Sequence, residues 1–364
     1  MSVFESNRAD ERTWDVVVVG GGAAGLTAAL TLARVRRSVL VIDAGEPRNA
    51  PAAAADGHGV HGLLGREGIS PLALLRIGRE EVASYGGRVV EGRVTRIERS
   101  GAGADADFVV DLAADGPRVR ARRILLATGL VDELPPVPGL AERWGRDVVH
   151  CVYCQGWEVR DRAIGVLGTF QQALMFRGLS AEVTLFRQDG PDLTDEQWEQ
   201  LAGLGVAVVD GEVAGLAVDE RDRLAGVRLA SGAEIPIEIL AVAPHFAART
   251  DLFSGLGLPV RELPRGLGRQ LAVDASGATG VTGVWAAGNA ADAMAGVAAA
   301  AASGMAAAAA INLDLLNAEA EAAAASRATT SVPFSAALEA ETARRVQSSS
   351  AHGLSSLLTD PPTG

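Results

Sequence analysis

The sequence predicts an α/β protein with two nucleotide-binding, Rossmann-like βαβ units, the first domain being interrupted by the second. Three observations carry this. A β-branched run at 15–20 leads into a glycine turn and a helix. A second strand–helix–strand pattern spans 163–186, after a proline cluster. A strand, a Gly-Asn turn and a long alanine helix at 283–317 then read as the close of the first domain.

The elements follow in order. Residues 1–13 are polar and charged and read as a disordered leader, without the apolar stretch of a signal peptide. The first unit comprises strand 15–20, helix 23–34 and strand 38–43. Residues 44–70 are irregular, rich in glycine and alanine, and hold His58 and His61. A helix is expected over 71–85, and apolar–polar alternation over 88–126 predicts strands. Pro135, Pro136 and Pro138 mark a linker. The second unit is expected at 163–167, 171–179 and 182–186, with strands at 205–219, 224–230 and 237–243, and Pro244 opening a further crossover. Residues 318–364 read as a tail with one short helix near 335–347. The domains so predicted are 14–133 with 246–317, and 134–245 between them.

Composition narrows the function classes. With 364 residues, 48% of them hydrophobic, the chain has ample material for two cores. A net charge of −12 argues against sequence-independent nucleic-acid binding. The apolar run 295–311 is alanine-dominated and shorter than the roughly 20 strongly apolar residues of a membrane span, so a buried helix is expected. Two cysteines do not make a secreted disulfide scaffold, which favours the cytoplasm.

Two motifs carry chemistry. Gly20, Gly22 and Gly25 fit a dinucleotide fingerprint after a strand and at the start of a helix, with Ala23 and Ala24 in the turn. A pyrophosphate would sit on the helix N-terminus, and Asp43, ending the next strand, can accept hydrogen bonds from an adenosine ribose. The bland alternative is a glycine turn without a ligand. Cys151 and Cys154 form a CxxC near a βαβ pattern, which reads as a redox pair. The alternatives are two core cysteines or half of a zinc site, for which no second CxxC or HxxxH exists. No metal site is expected. The second unit lacks a full fingerprint: only Gly165 and Gly168 are present, Phe170 stands where a phosphate loop wants a small residue, and Arg187 stands alone after the next strand.

Together these residues resemble the low-molecular-weight thioredoxin reductase family over roughly 14–317. The marks are the fingerprint, Ala127-Thr128-Gly129 before the prolines, the cysteine pair, and 283–289 with Gly288 and Asn289. The resemblance implies FAD in the first domain, held by these motifs, a homodimer, and rotation between domains. In the family an aspartate contacting the ribityl chain stands where this chain has Asn289. The stretch from His150 to Glu158 further resembles FAD-dependent dithiol oxidases of gliotoxin-, holomycin- and romidepsin-type pathways, which close small-molecule disulfides with oxygen and without NADPH. The loop between Leu167 and Gln171, about four residues shorter than the family's, agrees with that. The resemblance also implies substrate attack at Cys151 and Cys154 on the flavin side. One departure stands out: thioredoxin reductases carry an aspartate, and the subgroup often a histidine, where this chain has Gln155, which cannot move a proton. His150 and His245 are therefore the candidate acid/base groups, with His58 and His61 in a segment that passes near the flavin in the family, and His352 inert. Alternatives are a reductase passing electrons from NADPH or ferredoxin to thioredoxin, and a non-catalytic FAD-binding sensor.

Overall fold

Val16, Val17, Val18 and Val19 are buried, which places the first strand in the middle of a sheet. The computed structural model describes residues 12–49, 59–101, 107–113, 116–188, 190, 192–329 and 335–348. His58, His352 and residues 1–11 of the expected leader lie outside the described residues. Residues 1–312 form one compact unit and 313–364 a second.

β1 (Thr13–Val19) is followed by α1 (Ala23–Arg34), β2 (Val39–Asp43), α2 (Pro71–Ser84), β3 (Arg88–Glu91), β4 (Val94–Ser100), β5 (Asp107–Leu112) and β6 (Val119–Leu126). These strands lie in the order β3-β2-β1-β6-β5-β4. β1, β2, β3 and β6 run parallel, while β4, β5 and β6 pair antiparallel. The first strand starts inside the expected leader because Thr13 already pairs with Arg120. Leu32 of α1 is fully buried, and truncating it to alanine would cost about 2–5 kcal/mol.

β7 (Leu130–Glu133) leaves this sheet, and β8 (Val148–Val149), α3 (Val152–Val159), β9 (Ile164–Leu167), α4 (Phe170–Arg177), β10 (Val183–Phe186), α5 (Asp195–Gly203) and β11 (Ala207–Val209) follow. Next come β12 (Val213–Val218), β13 (Leu224–Leu229), β14 (Glu234–Pro236) and β15 (Ile239–Val242). The second sheet is parallel, in the order β11-β10-β9-β15-β8, and β12-β13-β14 form an antiparallel meander. The strand expected over 205–219 is thus two strands in different sheets. Gly211, at φ 124°, breaks it.

β16 (His245–Ala248), β17 (Val260–Glu262) and β18 (Gly268–Leu271) join β7 in a small sheet ordered β17-β18-β16-β7. Where the sequence suggested a crossover after Pro244, the returning chain runs antiparallel to the outgoing one, His245 opposite Glu133. β19 (Val284–Ala286) then pairs parallel with β6, returning the chain to the first sheet. α6 (Val297–Thr329) and α7 (Ala336–Ser348) complete the described elements. α6 continues past the expected boundary at 317 because alanine and glutamate, both strong helix formers, follow without a breaker. Among the described residues it is the helix long and apolar enough to cross a membrane. Within the first unit its Ala300, Ala307, Ala308 and Ile311 are buried in the protein, and Gly304 packs against the Ala24 backbone.

Candidate active site

Four separate stretches meet at the N-terminus of α1. Gly20 donates its N–H to the Ile42 carbonyl at 2.8 Å, and Ala127 donates to the Val19 carbonyl at 2.8 Å. Gly20 has φ 108°, and a Cβ there would strike the Ala127 carbonyl, so the close approach needs glycine. Gly21 lies against the Asp43 carboxylate, Gly25 against the Gly20 carbonyl, and Gly288 against Ala24. Gly288 also donates its N–H to Ser303 Oγ at 2.9 Å. Thr128 Oγ1 is buried with no hydrogen-bond partner, and Gly129 beyond it turns the chain at φ 66°.

This cradle fits a dinucleotide. The N-cap of α1, Gly22, provides no side-chain cap, the first turn has no acidic residue, and nothing lies within 4 Å of the Cβ that Gly22 lacks. The free N–H groups of the first turn, starting at Ala23, therefore face open space where an anion is favoured. Asp43 stands beside it but is engaged: Arg79 of α2 donates to its Oδ2. That arginine was not found from sequence, since nothing local links position 79 to 43. Asn289 donates its amide N–H groups to the carbonyls of Asp292 at 3.1 Å and Ala295 at 2.9 Å. A carboxylate cannot make these bonds, so Asn289 braces its own turn.

Cys151 and Cys154 are joined by a disulfide with their Cα atoms 5.2 Å apart. Cys151 is the N-cap of α3, and its carbonyl accepts the N–H groups of Cys154 at 3.2 Å and Gln155 at 3.1 Å. Both sulfurs thus sit at the positive end of a helix, which favours thiolates once the bond is reduced. Cys151 is half-buried and Cys154 exposed. Cys154 opens onto a cavity of about 400 Å³ lined by His61, Gly62, Glu67, Tyr153, Gly156, Trp157 and Glu158. Tyr153 and Trp157 are exposed at 84% and 70%, unusual for side chains of their size, and Arg160 stacks 3.8 Å from the Trp157 ring.

The three described histidines separate. His150 donates from Nδ1 to the Val242 carbonyl at 3.0 Å and meets the Phe246 ring edge-on at 5.3 Å. Its pKa is lowered, first by burial, against the bond to Val242, with Arg48 adding to the depression. His245 lies in the exposed ladder with Glu133, Nδ1 to Oε2 at 2.8 Å, and does not line the Cys154 cavity. His61 does line it. Its Nδ1 lies 2.7 Å from Glu67 Oε1, while Glu67 Oε2 accepts the Gly62 N–H at 2.9 Å. Hydrogen bonds from His61 first, then from Gly62, hold the Glu67 carboxyl below its ordinary value. Its Nε2 is buried without a hydrogen-bond partner and stands 3.5 Å from Glu158 Oε1, outside hydrogen-bonding geometry. The only sequence signal for His61 was its place in the glycine-rich segment; Glu67 and Glu158 come to it through folding.

The second unit's glycine turn is covered by a side chain. Thr169 caps α4 with its own Oγ1, accepting from the Gln172 N–H at 3.3 Å. The Gln172 side chain lies over Gly168, where a dinucleotide would approach, and donates from Nε2 to the Val242 carbonyl at 3.1 Å. Phe170 turns into the core beneath the second sheet. Arg187 is paired with Asp210 at 2.6 Å and Asp192 at 3.3 Å, and Arg177 bonds the Leu204 carbonyl at 2.7 Å.

Residues 14–306 match the pyridine nucleotide-disulphide oxidoreductase family. A probable thioredoxin reductase of Arthroderma benhamiae is 32% identical over 166 residues, covering 45% of this chain and 40% of that protein. Thioredoxin reductase sirT of Leptosphaeria maculans is 30% identical over 322 residues, covering 84% of this chain and 95% of the relative. The crystal structure of HlmI is 42% identical with a TM-score of 0.80, covering 88% of this chain and 98% of that one.

Proposed function

The chain belongs to the pyridine nucleotide-disulphide oxidoreductase family as an FAD-dependent oxidoreductase, and on that premise we propose that it oxidises a small-molecule dithiol to a disulfide through Cys151 and Cys154, with oxygen as final acceptor and hydrogen peroxide as product. The observation that carries the proposal is Gln172, which lies over the second unit's glycine turn while Cys151 and Cys154 of the same domain are joined by a disulfide. Electrons then enter at the disulfide rather than from a nicotinamide. The Gly20, Gly22, Ala24, Asp43, Ala127, Thr128, Gly288 surface would hold FAD, whose bound flavin supplies a two-electron acceptor that oxygen can reoxidise.

The chain's own residues do the following. The exposed faces of Tyr153 and Trp157, on the helix that Cys151 caps, receive the substrate. One substrate thiolate attacks Cys151, displacing Cys154 as thiolate, and the helix N-terminus stabilises that leaving charge. The second substrate thiol attacks the mixed disulfide, releasing the cyclic product and leaving both cysteines reduced. His150, neutral and fixed by Val242, positions the chain entering Cys151.

The reading includes a cytoplasmic homodimer acting on neither nucleic acid nor membrane. Net charge −12 agrees with the former exclusion. For the dimer, an apolar groove of about 250 Å³ lined by Leu26, Leu30, Leu63, Leu74 and Val297 is open on the first unit. Leu64 and Met305 are also exposed, at 102% and 54%. A second copy would cover the groove. Domain limits of 14–133 with 246–317, and 134–245, go with this reading. The test is oxygen consumption and peroxide formation with a model dithiol such as dithiothreitol. Peroxide matching product is expected. Dithiol oxidation that needs added thioredoxin would overturn the proposal.

A further inference from the structure

We propose that His61, held by Glu67, is the base of Cys154: in the reduced protein the Cys154 thiol proton passes to His61 Nε2, leaving a thiolate beside an imidazolium. Only a proton moves, and the sulfur keeps its electron pair. The proposal deepens the reading above and rests on it only in taking Cys151 and Cys154 as working thiols.

The geometry points this way in three respects. His61 and Cys154 line the same cavity. Glu67 accepts the Nδ1–H, which fixes the tautomer and leaves the Nε2 lone pair as acceptor. That Nε2 is buried and has no hydrogen-bond partner, a costly arrangement for a group with only a structural role. Bracing of the 61–67 turn explains the bonds of Glu67 to His61 and Gly62, but not the state of Nε2.

Two carboxylates flank the His61 ring. Glu67 lies on one side and Glu158, 3.5 Å from Nε2, on the other. Tyr153 also lines the cavity. Arg160 is stacked on Trp157 and donates to the Trp157 carbonyl, and Arg66, next to Glu67, lines the separate apolar groove. The other candidates are placed differently: Gln155 cannot titrate, His150 has its Nδ1 on Val242, and His245 pairs with Glu133 away from the cavity.

The test uses the full-length flavin-bound protein with Cys151→Ser, leaving Cys154 as the one thiol. Its iodoacetamide alkylation rate is followed from pH 5 to 10, alone and with His61→Gln or Glu67→Gln added. Only the thiolate reacts, so the profile reads the thiol pKa. We expect a midpoint below the ordinary cysteine value of about 8.5. His61→Gln should raise it by at least about one unit, roughly a tenfold slower alkylation at pH 7, with a smaller rise for Glu67→Gln. A low midpoint unchanged by His61→Gln would assign the effect to the helix N-terminus and overturn the proposal. So would an ordinary midpoint in the Cys151→Ser parent. Flavin absorbance and circular dichroism check folding; if His61→Gln does not fold, an unshifted Glu67→Gln profile overturns it. The measurement needs no substrate dithiol, oxygen or turnover, so its failure is distinct from failure of the dithiol-oxidase reading.

Discussion

The two βαβ units of this chain have the same strand–turn–helix course and opposite helix N-termini. At α1 the cap is a glycine, the first turn is bare, and the space beyond Gly22 is open. At α4 the cap is Thr169, whose hydroxyl satisfies an N–H, and Gln172 lies over the glycine turn. An open N-terminus leaves unsatisfied donors that an anion can complete, whereas at a capped one the protein itself satisfies one of them. The comparison teaches that two glycine turns are better told apart by what lies over them than by a missing glycine. The second unit also carries the disulfide, at the uncapped start of α3.

The largest test separates the disulfide from the cradle. Cys151→Ser and Cys154→Ser should each bring dithiol oxidation to background while the 450 nm flavin band persists. Turnover in either variant near that of the unmodified protein would mean the substrate reduces flavin directly. Next, Gly22→Asp would impose on α1 a cap and a carboxylate where the pyrophosphate belongs. Flavin content after purification should fall by more than about tenfold with the fold retained, because two anions would share one helix terminus. Unchanged flavin content would mean that the open terminus is not the cofactor site.

The legibility of these features in the sequence was uneven. The fingerprint, Asp43 and the cysteine pair were readable because strand, turn and helix signals lie next to one another along the chain. The return of β19 to the first sheet was readable from its strand-then-helix pattern. Glu158 and Arg79 were not, since each acts on a residue from another element, and Glu67 meets His61 within one irregular turn that no periodic pattern marks. The split of 205–219 was missed because alternation cannot signal a change of partner strand. The sequence points to Phe170 as the bulky group at this turn; the structure turns it inward, and Gln172, an ordinary helical residue by sequence, lies over Gly168.

A smaller effect comes from opening α4. Thr169→Ala should destabilise the protein by about 1 kcal/mol through loss of the cap, read as a lower urea midpoint. It should not create NADPH-dependent flavin reduction, because Gln172 and the paired Arg187 remain.

The smallest is a pH effect at His150, which shares the Val242 carbonyl with Gln172. Burial lowers the His150 pKa in the folded state, so the unfolded chain binds the extra proton. His150 therefore contributes stability above its unfolded pKa of about 6.5, lost as pH falls from there through the lowered folded value. Urea unfolding of the protein and of His150→Gln should run parallel at pH 7–8. Below about pH 6.5 only the unmodified protein should show the His150-dependent loss. Parallel curves throughout would remove His150 from the account.

The most direct test of the contrast between the two cradles is anaerobic stopped-flow reduction of the purified flavoprotein, following absorbance at 450 nm. A small dithiol should bleach the flavin through the disulfide, while NADPH leaves it oxidised. Full bleaching by submillimolar NADPH within seconds would contradict the account and restore a nicotinamide-dependent reductase.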